Sequence, residues 1–216
     1  MNNIFIAKEG IRLIILLFLF VVIMFVASSS WVLQLTSVSL LLAAVYLFRN
    51  PKIAIERFEK CEILSVCDGV VANIETIDCQ GKIKGECYKV TVLNRLIDKG
   101  EFRAPFDSKI TFLEYRRGMQ LALYSKKSNV LNEESKILFQ SSDEKDDVMV
   151  VKQRLNRFNI PLSFRQVEGD ELVIGERYGF MLHGSVTLFL PTHSRLAIKV
   201  GDEIKAGQSL IGYFMR

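Results

Sequence analysis

The sequence predicts a mostly β, barrel-sandwich-like domain carried behind an N-terminal helical membrane hairpin. Three observations lead there. No charged residue occurs from Leu13 to Phe48, a run of 36 positions. From Pro51 onward, short runs of alternating apolar residues are punctuated by Gly and Asx, the pattern of strands joined by tight turns. Finally, "GDELVIG" at Gly169–Gly175 returns 32 residues later as "GDEIKAG" at Gly201–Gly207, each reading as a turn, a short strand and another turn.

An unbroken helix over the uncharged run would measure roughly 54 Å at 1.5 Å per residue, more than one bilayer crossing. The polar break "SSSW" at Ser28–Trp31 instead divides it into two apolar pieces, each of about 16 residues and a little short of an untilted span. A tight helical hairpin follows. Lys8 and Arg12 precede it, and Arg49, Lys52 and Arg57 come after it, so both ends are expected on the cytoplasmic side of the cell membrane. A secretory signal peptide fits less well, because the second apolar piece follows at once. "FRNP" at Phe48–Pro51 closes the helix, since proline disfavours helical geometry in the residue before it. The expected division is therefore 1–50 for the anchor and 51–216 for the β-rich domain.

In the second part, "ILSVCDGVVANIETI", "CYKVTVLNRLI", "SKITFLEY", "MQLALYS", "DDVMVVKQRL" and "SVTLFLP" read as strands. "SSDEKDDV", Ser141–Val148, reads as a solvated connector.

Composition excludes several functions. A net charge of +4, from 28 basic and 24 acidic residues, gives no basic stripe for nucleic acid. Cys61, Cys67, Cys79 and Cys87 form no CxxC pair and have no histidine nearby, so no metal site is expected and the thiols are expected to be reduced. Hydrolase elbows, HExxH, phosphate loops and dinucleotide fingerprints are all missing, and there are only two histidines, His183 and His193.

What remains is the Gly184-Ser185 pair in the middle of "GFMLHGSVTLFLP", which otherwise scans as one β-strand. A serine hydroxyl can attack the preceding carbonyl carbon when the backbone is held for it, and a glycine there removes the Cβ that would obstruct attack. The amide becomes an ester. Elimination then cuts the chain and leaves a dehydroalanine, which hydrolyses to a pyruvoyl group at the new N-terminus. Such a carbonyl can take up a substrate amine and accept the electrons released as carbon dioxide departs.

At these residues the chain resembles the phosphatidylserine decarboxylase family in its short, membrane-anchored form. "IAKEG", the two-part apolar run and "FRNP" are similar to that family's anchor and its "FRDP"-like end. "CDGVV" at Cys67–Val71 resembles "ADGxV", "FRAPFDSKI" at Phe102–Ile110 resembles "NRAPVDGKV", and "IGERYGFMLHGSVTLFLP" resembles "GERFGxxxFGSxVDLYLP".

The resemblance implies cleavage between Gly184 and Ser185, a pyruvoyl group derived from Ser185, and Asp68 as the acid that assists self-cleavage. It implies phosphatidylserine in the membrane as substrate, and fragments 1–184 and 185–216 that stay together as a heterodimer. One position departs. Where the family reads "DVHVNRAP", this chain reads "DKGEFRAP" from Asp98 to Pro105, with Gly100 at the place of the histidine expected to be the base. A glycine cannot move protons. His183 is one candidate replacement, because strand alternation would put it on the same face as Ser185; His193 is the other. The alternative is an uncleaved, non-catalytic homologue that binds lipid or protein at the membrane. A biotinyl or lipoyl carrier fits least, with no exposed Lys in the expected hairpin.

Overall fold

The computed structural model describes residues 6–27, 29–50, 61–80, 83–142 and 147–215. Pro51, Lys52 and Arg57, part of the expected helix end and its positive flank, lie outside them. The chain divides into two compact units, Met1–Lys52 and Ile53–Arg216.

In the first unit, α1 (Lys8–Ala27) and α2 (Trp31–Leu47) form the expected hairpin. α1 is long and apolar enough to cross a membrane. The open end of the hairpin is tied shut. Ala7 N donates to Phe48 O at 2.7 Å, and Ile6 bridges to Arg49, so the chain enters and leaves at one end.

The second unit is mostly β. Its strands are β1 (Glu62–Leu64), β2 (Gly69–Gln80), β3 (Lys84–Asn94), β4 (Glu101–Arg103), β5 (Ser108–Arg116), β6 (Glu134–Ser141) and β7 (Val148–Leu155). They continue as β8 (Ser163–Phe164), β9 (Glu171–Leu172), β10 (Arg177–Phe180), β11 (Gly184–Pro191), β12 (Ser194–Leu196), β13 (Glu203–Ile204) and β14 (Leu210–Phe214), with one helical turn, α3 (Ser128–Leu131), before β6. An eight-stranded sheet runs β13-β2-β3-β11-β7-β6-β5-β9, and two three-stranded sheets run β1-β14-β12 and β4-β10-β8. Val92, Val186, Leu188, Val151, Ile137 and Ile110 on one face of the large sheet share a core with Phe102, Tyr178, Ile211 and Phe214 from the small ones. Gln153 is fully buried in it, and is satisfied by Ser135 at 2.7 Å and the Tyr178 hydroxyl at 2.8 Å.

The repeated "GD" segments take up equivalent positions at the two edges of the large sheet. Gly169 and Gly201 have φ of +97° and +96°, which glycine adopts without steric cost. Gly169 N donates to Ile110 O and Ile110 N to Asp170 O; likewise Gly201 N donates to Val71 O and Val71 N to Asp202 O. The two-residue strands that follow, β9 and β13, are the sheet's outermost members.

Three expectations change. "MQLALYS" forms no strand. It meets Asn132 instead, whose side chain accepts from Leu121 N at 2.9 Å and donates to Leu121 O at 2.7 Å, so a side chain satisfies backbone groups that a ladder would otherwise pair. "GFMLHGSVTLFLP" is two strands in different sheets, β10 and β11, separated by Met181–His183. The cysteines are not all reduced: Cys79 and Cys87 form a disulfide with a Cα–Cα distance of 6.0 Å, while Cys61 and Cys67 are free. Register explains this. Ile77 faces Cys87 and Cys79 faces Gly85 across the β2–β3 hairpin, so the two cysteines are diagonal neighbours on one face.

Candidate active site

The junction between β10 and β11 holds Gly184 from both sides. Gly184 opens β11 and pairs with Asn94 at the end of β3 and with Leu155 at the end of β7. A Cβ there would lie 2.3 Å from the Arg154 carbonyl oxygen and 2.8 Å from Met181 Sδ, so the position has no room for any side chain. Ser185 is the first residue of β11 to point away from the core: Val186, Leu188 and Leu190 are fully buried, while Ser185 is partly exposed. Its register partners on that outer face are Leu93 and Arg154.

Asn94 is the neighbour that sequence reasoning missed. It is 4% exposed, and its amide nitrogen donates to Asp68 O at 2.9 Å and Lys99 O at 3.2 Å, leaving Oδ1 without a partner. A buried acceptor without a donor is costly. This one stands across the ladder from Gly184. An Asn closing the apolar run "YKVTVLN" is the only signal the sequence offered.

Asp68 is buried in the turn before β2, and its Oδ1 accepts from Ala206 N at 2.7 Å. It is joined to the Gly184 pair through its carbonyl and Asn94. Its carboxylate therefore holds the turn that leads to Gly207. Beside it, burial pushes the Cys67 thiol far above its ordinary range, helped by Asp68 and Asp98, and so keeps it protonated.

Gly100 also lies at the junction. Met181 N donates to Gly100 O at 2.8 Å, and a Cβ on Gly100 would stand 2.5 Å from Met181 O and 2.8 Å from two carbons of the Phe180 ring. The backbone of Met181 and the ring of Phe180 fill the space a larger side chain would need. The next residue, Glu101, is 1% exposed and held by Arg103 at 2.7 Å and Arg177 at 3.8 Å.

The two histidines lie far apart. His193 lies beyond the other end of β11, its Nε2 3.4 Å from Asp147 Oδ1 and its ring against Phe214. Six residue steps of strand, Ser185 to Pro191, and part of a turn separate it from Ser185, about 20 Å. His183 immediately precedes Gly184, but it lies in a bend outside β11, so alternation along that strand does not set its direction. Its Nδ1 is 3.4 Å from the Asn159 side-chain nitrogen, which also donates to the His183 carbonyl.

Burial lowers the His183 pKa below its ordinary value, against a smaller opposing hydrogen bond with the Arg157 backbone. The ring is neutral at pH 7 and able to accept a proton. Below about pH 6.5 the unfolded chain takes up a proton that the folded ring resists, so stability is lost as pH falls from there toward the lowered folded value. Above that window His183 contributes no pH dependence. Urea midpoints measured across pH 5–8 are expected to fall less steeply on the acid side in His183→Gln than in the parent.

The outer face beside Ser185 is cationic. Glu134, 5% exposed, receives Lys152 at 2.9 Å, Arg154 at 3.2 Å and Arg116 at 3.7 Å, one carboxylate against three cations. Burial lowers the Lys152 pKa, opposed by Glu134. Among the described residues, no cluster of His, Cys, Asp and Glu could hold a metal ion.

The family model for phosphatidylserine decarboxylase matches residues 40–212. The chain belongs to the phosphatidylserine decarboxylase family. It is 31% identical over 212 residues to the phosphatidylserine decarboxylase proenzyme of Syntrophus aciditrophicus, covering 97% of this chain and 98% of that one. It is 30% identical over 184 residues to the proenzyme of Desulfotalea psychrophila, covering 82% and 83%, and 27% identical over 201 residues to that of Syntrophotalea carbinolica, covering 91% of each. The matches to this decarboxylase family thus span both the Gly184 junction and most of the chain before it.

Proposed function

We propose that this member of the family is a proenzyme that cuts itself between Gly184 and Ser185 and then converts phosphatidylserine to phosphatidylethanolamine. The observation that carries the reading is the junction itself: a glycine locked between two strands, followed by a serine facing out of the core. Attack of Ser185 Oγ on the Gly184 carbonyl carbon replaces the amide by an ester and frees the serine nitrogen. Elimination breaks the Cβ–O bond and leaves a carboxylate on Gly184 and a dehydroalanine at position 185. Water then replaces its nitrogen, which leaves as ammonia.

The residues present fit a pyruvoyl group at position 185: the outer face is open to substrate, Arg154 lies in register beside it, and the unpartnered Asn94 Oδ1 lies one position back. That group, once formed, supplies a carbonyl to take up the substrate amine and accept electrons as carbon dioxide leaves. Around it, Arg154 and Lys152 attract the anionic headgroup, and neutral His183 takes the serine proton. Asp68 acts through the backbone, keeping Asn94 and the β2 turn in place. Both fragments stay together, because β11 is hydrogen-bonded to β3 on one side and β7 on the other.

The membrane hairpin keeps the domain where its lipid substrate is concentrated. Lys8, Arg12 and Arg49 favour the cytoplasmic side, whereas the Cys79–Cys87 disulfide favours an oxidising compartment. The β2–β3 ladder holds its hairpin without the bridge, so a cytoplasmic domain keeps this hairpin with the pair reduced.

Intact-mass measurement of the purified protein tests the processing. The expected result is a blocked fragment of roughly 3.5 kDa, at about 110 Da per residue. Full-length chain alone after prolonged incubation overturns the reading. In His183→Ala, cleavage at the parent rate removes His183 from the proton transfer.

A further inference from the structure

The Ser185 end of the large sheet is where β5, β3 and β7 finish and where β6 and β11 begin. Two long connections meet there. Residues 117–133 and 156–162 carry Arg117, Lys126, Lys127 and Arg157, with Arg116 closing β5 beside them; their one acid, Glu133, is 4% exposed and accepts from the Tyr115 hydroxyl and Leu162 N. They are bound to each other and to the junction. Leu123 N donates to Asn156 Oδ1, Asn159 N donates to Gln120 Oε1, and the His183 carbonyl accepts from Asn156 N at 3.5 Å.

The same rim exposes large apolar side chains. Phe158 is 84% exposed and Tyr124 83%, with Val130 on the same connection and Leu96 and Ile97 on the neighbouring one between β3 and β4. Arg157 lies 5.6 Å over the Phe158 ring and 5.8 Å over Tyr124. Phe158 has a φ of +59°, the only positive value outside glycine among the described residues. A bulky residue in that conformation is strained, so this ring is both held unfavourably and presented to solvent. The strand ends that flank the acidic "SSDEKDDV" stretch, Ser141 and Val148, lie at the opposite end of the sheet.

The acids at this end are taken up within the fold: Glu134 by Lys152 and Arg154, Glu133 by Tyr115 and Leu162 N, Asp98 by Arg95. Exposed aromatic rings among the remaining cations complement an anionic surface with an apolar interior. We infer that this rim docks on an anionic phospholipid bilayer, with Phe158 and Tyr124 entering the interface and Lys126, Lys127 and Arg157 meeting the headgroups. Docking in this pose sets Ser185 at the headgroup level. The proposal rests on the lipid reading of the site only for its purpose, and its test does not depend on cleavage.

The chain has a single tryptophan, Trp31. Full-length protein carrying Trp31→Phe, Ser185→Ala and Phe158→Trp is reconstituted in phosphatidylcholine vesicles with brominated acyl chains, with and without about 30% phosphatidylglycerol. Expected is a blue-shifted emission from position 158 and a quenching at least roughly two-fold stronger with phosphatidylglycerol, lost in high salt or on Lys126→Glu/Lys127→Glu. A Val173→Trp probe at the other end of the sheet is expected to stay unquenched, and matching melting curves show that both probes leave the fold intact. Solvent-like, unquenched emission at position 158 in anionic vesicles overturns the proposal. So does a shift that follows protein density and ignores lipid charge, which would assign the rim to a second copy of the chain. Cleavage of the parent protein without this quenching leaves the proposed function standing and removes only the docking.

Discussion

Ser185→Ala is expected to leave the chain whole. Removing a nucleophile costs on the order of 10⁴-fold or more in rate, so intact mass should show only full-length protein under conditions that fully cut the parent. The variant should still fold. Ser185 points out of the core and its paired backbone is unchanged, which limits the stability cost to about 0.5 kcal/mol. Ser185→Cys is the informative companion, because a thiol can make the same attack and its ester analogue can undergo the same elimination; partial, slower cutting is expected. A small fragment that still forms from Ser185→Ala would mean that some other bond or agent does the cutting.

Gly184→Ala, one residue earlier, should fail for a different reason. Its methyl would stand 2.3 Å from the Arg154 carbonyl oxygen, a backbone atom inside the β7–β11 ladder. Relief requires the two central strands to part. Overpacking of this kind costs about 3 kcal/mol, or roughly 6–12 °C in the melting temperature of a domain this size. The pair of variants separates chemistry from space: Ser185→Ala should be stable and uncut, Gly184→Ala unstable. If Gly184→Ala melts with the parent, the close packing at the junction is not what fixes a glycine there.

Much of this was legible because local chemistry carried it. The uncharged run with "SSSW" in its middle fixes two apolar helices and a turn, and the two "GD" repeats need a glycine wherever φ is positive, as at Gly169 and Gly201. Other features depended on register between distant segments. Asn94 matters because β3 lies beside β11, ninety positions later, and nothing in "YKVTVLN" announces the partner. The alternation in "MQLALYS" is a strand's pattern without a strand, because the side chain of Asn132 supplies the hydrogen bonds a neighbouring strand would have given. Continuity misled at "GFMLHGSVTLFLP" in the opposite way: a single apolar run feeds two sheets, and the break falls beside the bond of interest. At Gly100, the sequence announced the departure from the family pattern; only the packing of Phe180 shows how fully the vacated space is filled.

The two outermost strands have one more consequence. β9 lies in the segment before Ser185 and β13 in the segment after it, so a cut at position 185 leaves each product holding one of the two borders of the sheet. If the small piece left, β2 would lose its cover, and β3 and β7 would lose the strand between them. Bare strand borders recruit other chains. Separation of the two products should therefore register as precipitation rather than as two soluble peptides, and retention of the small piece doubles as protection against self-association.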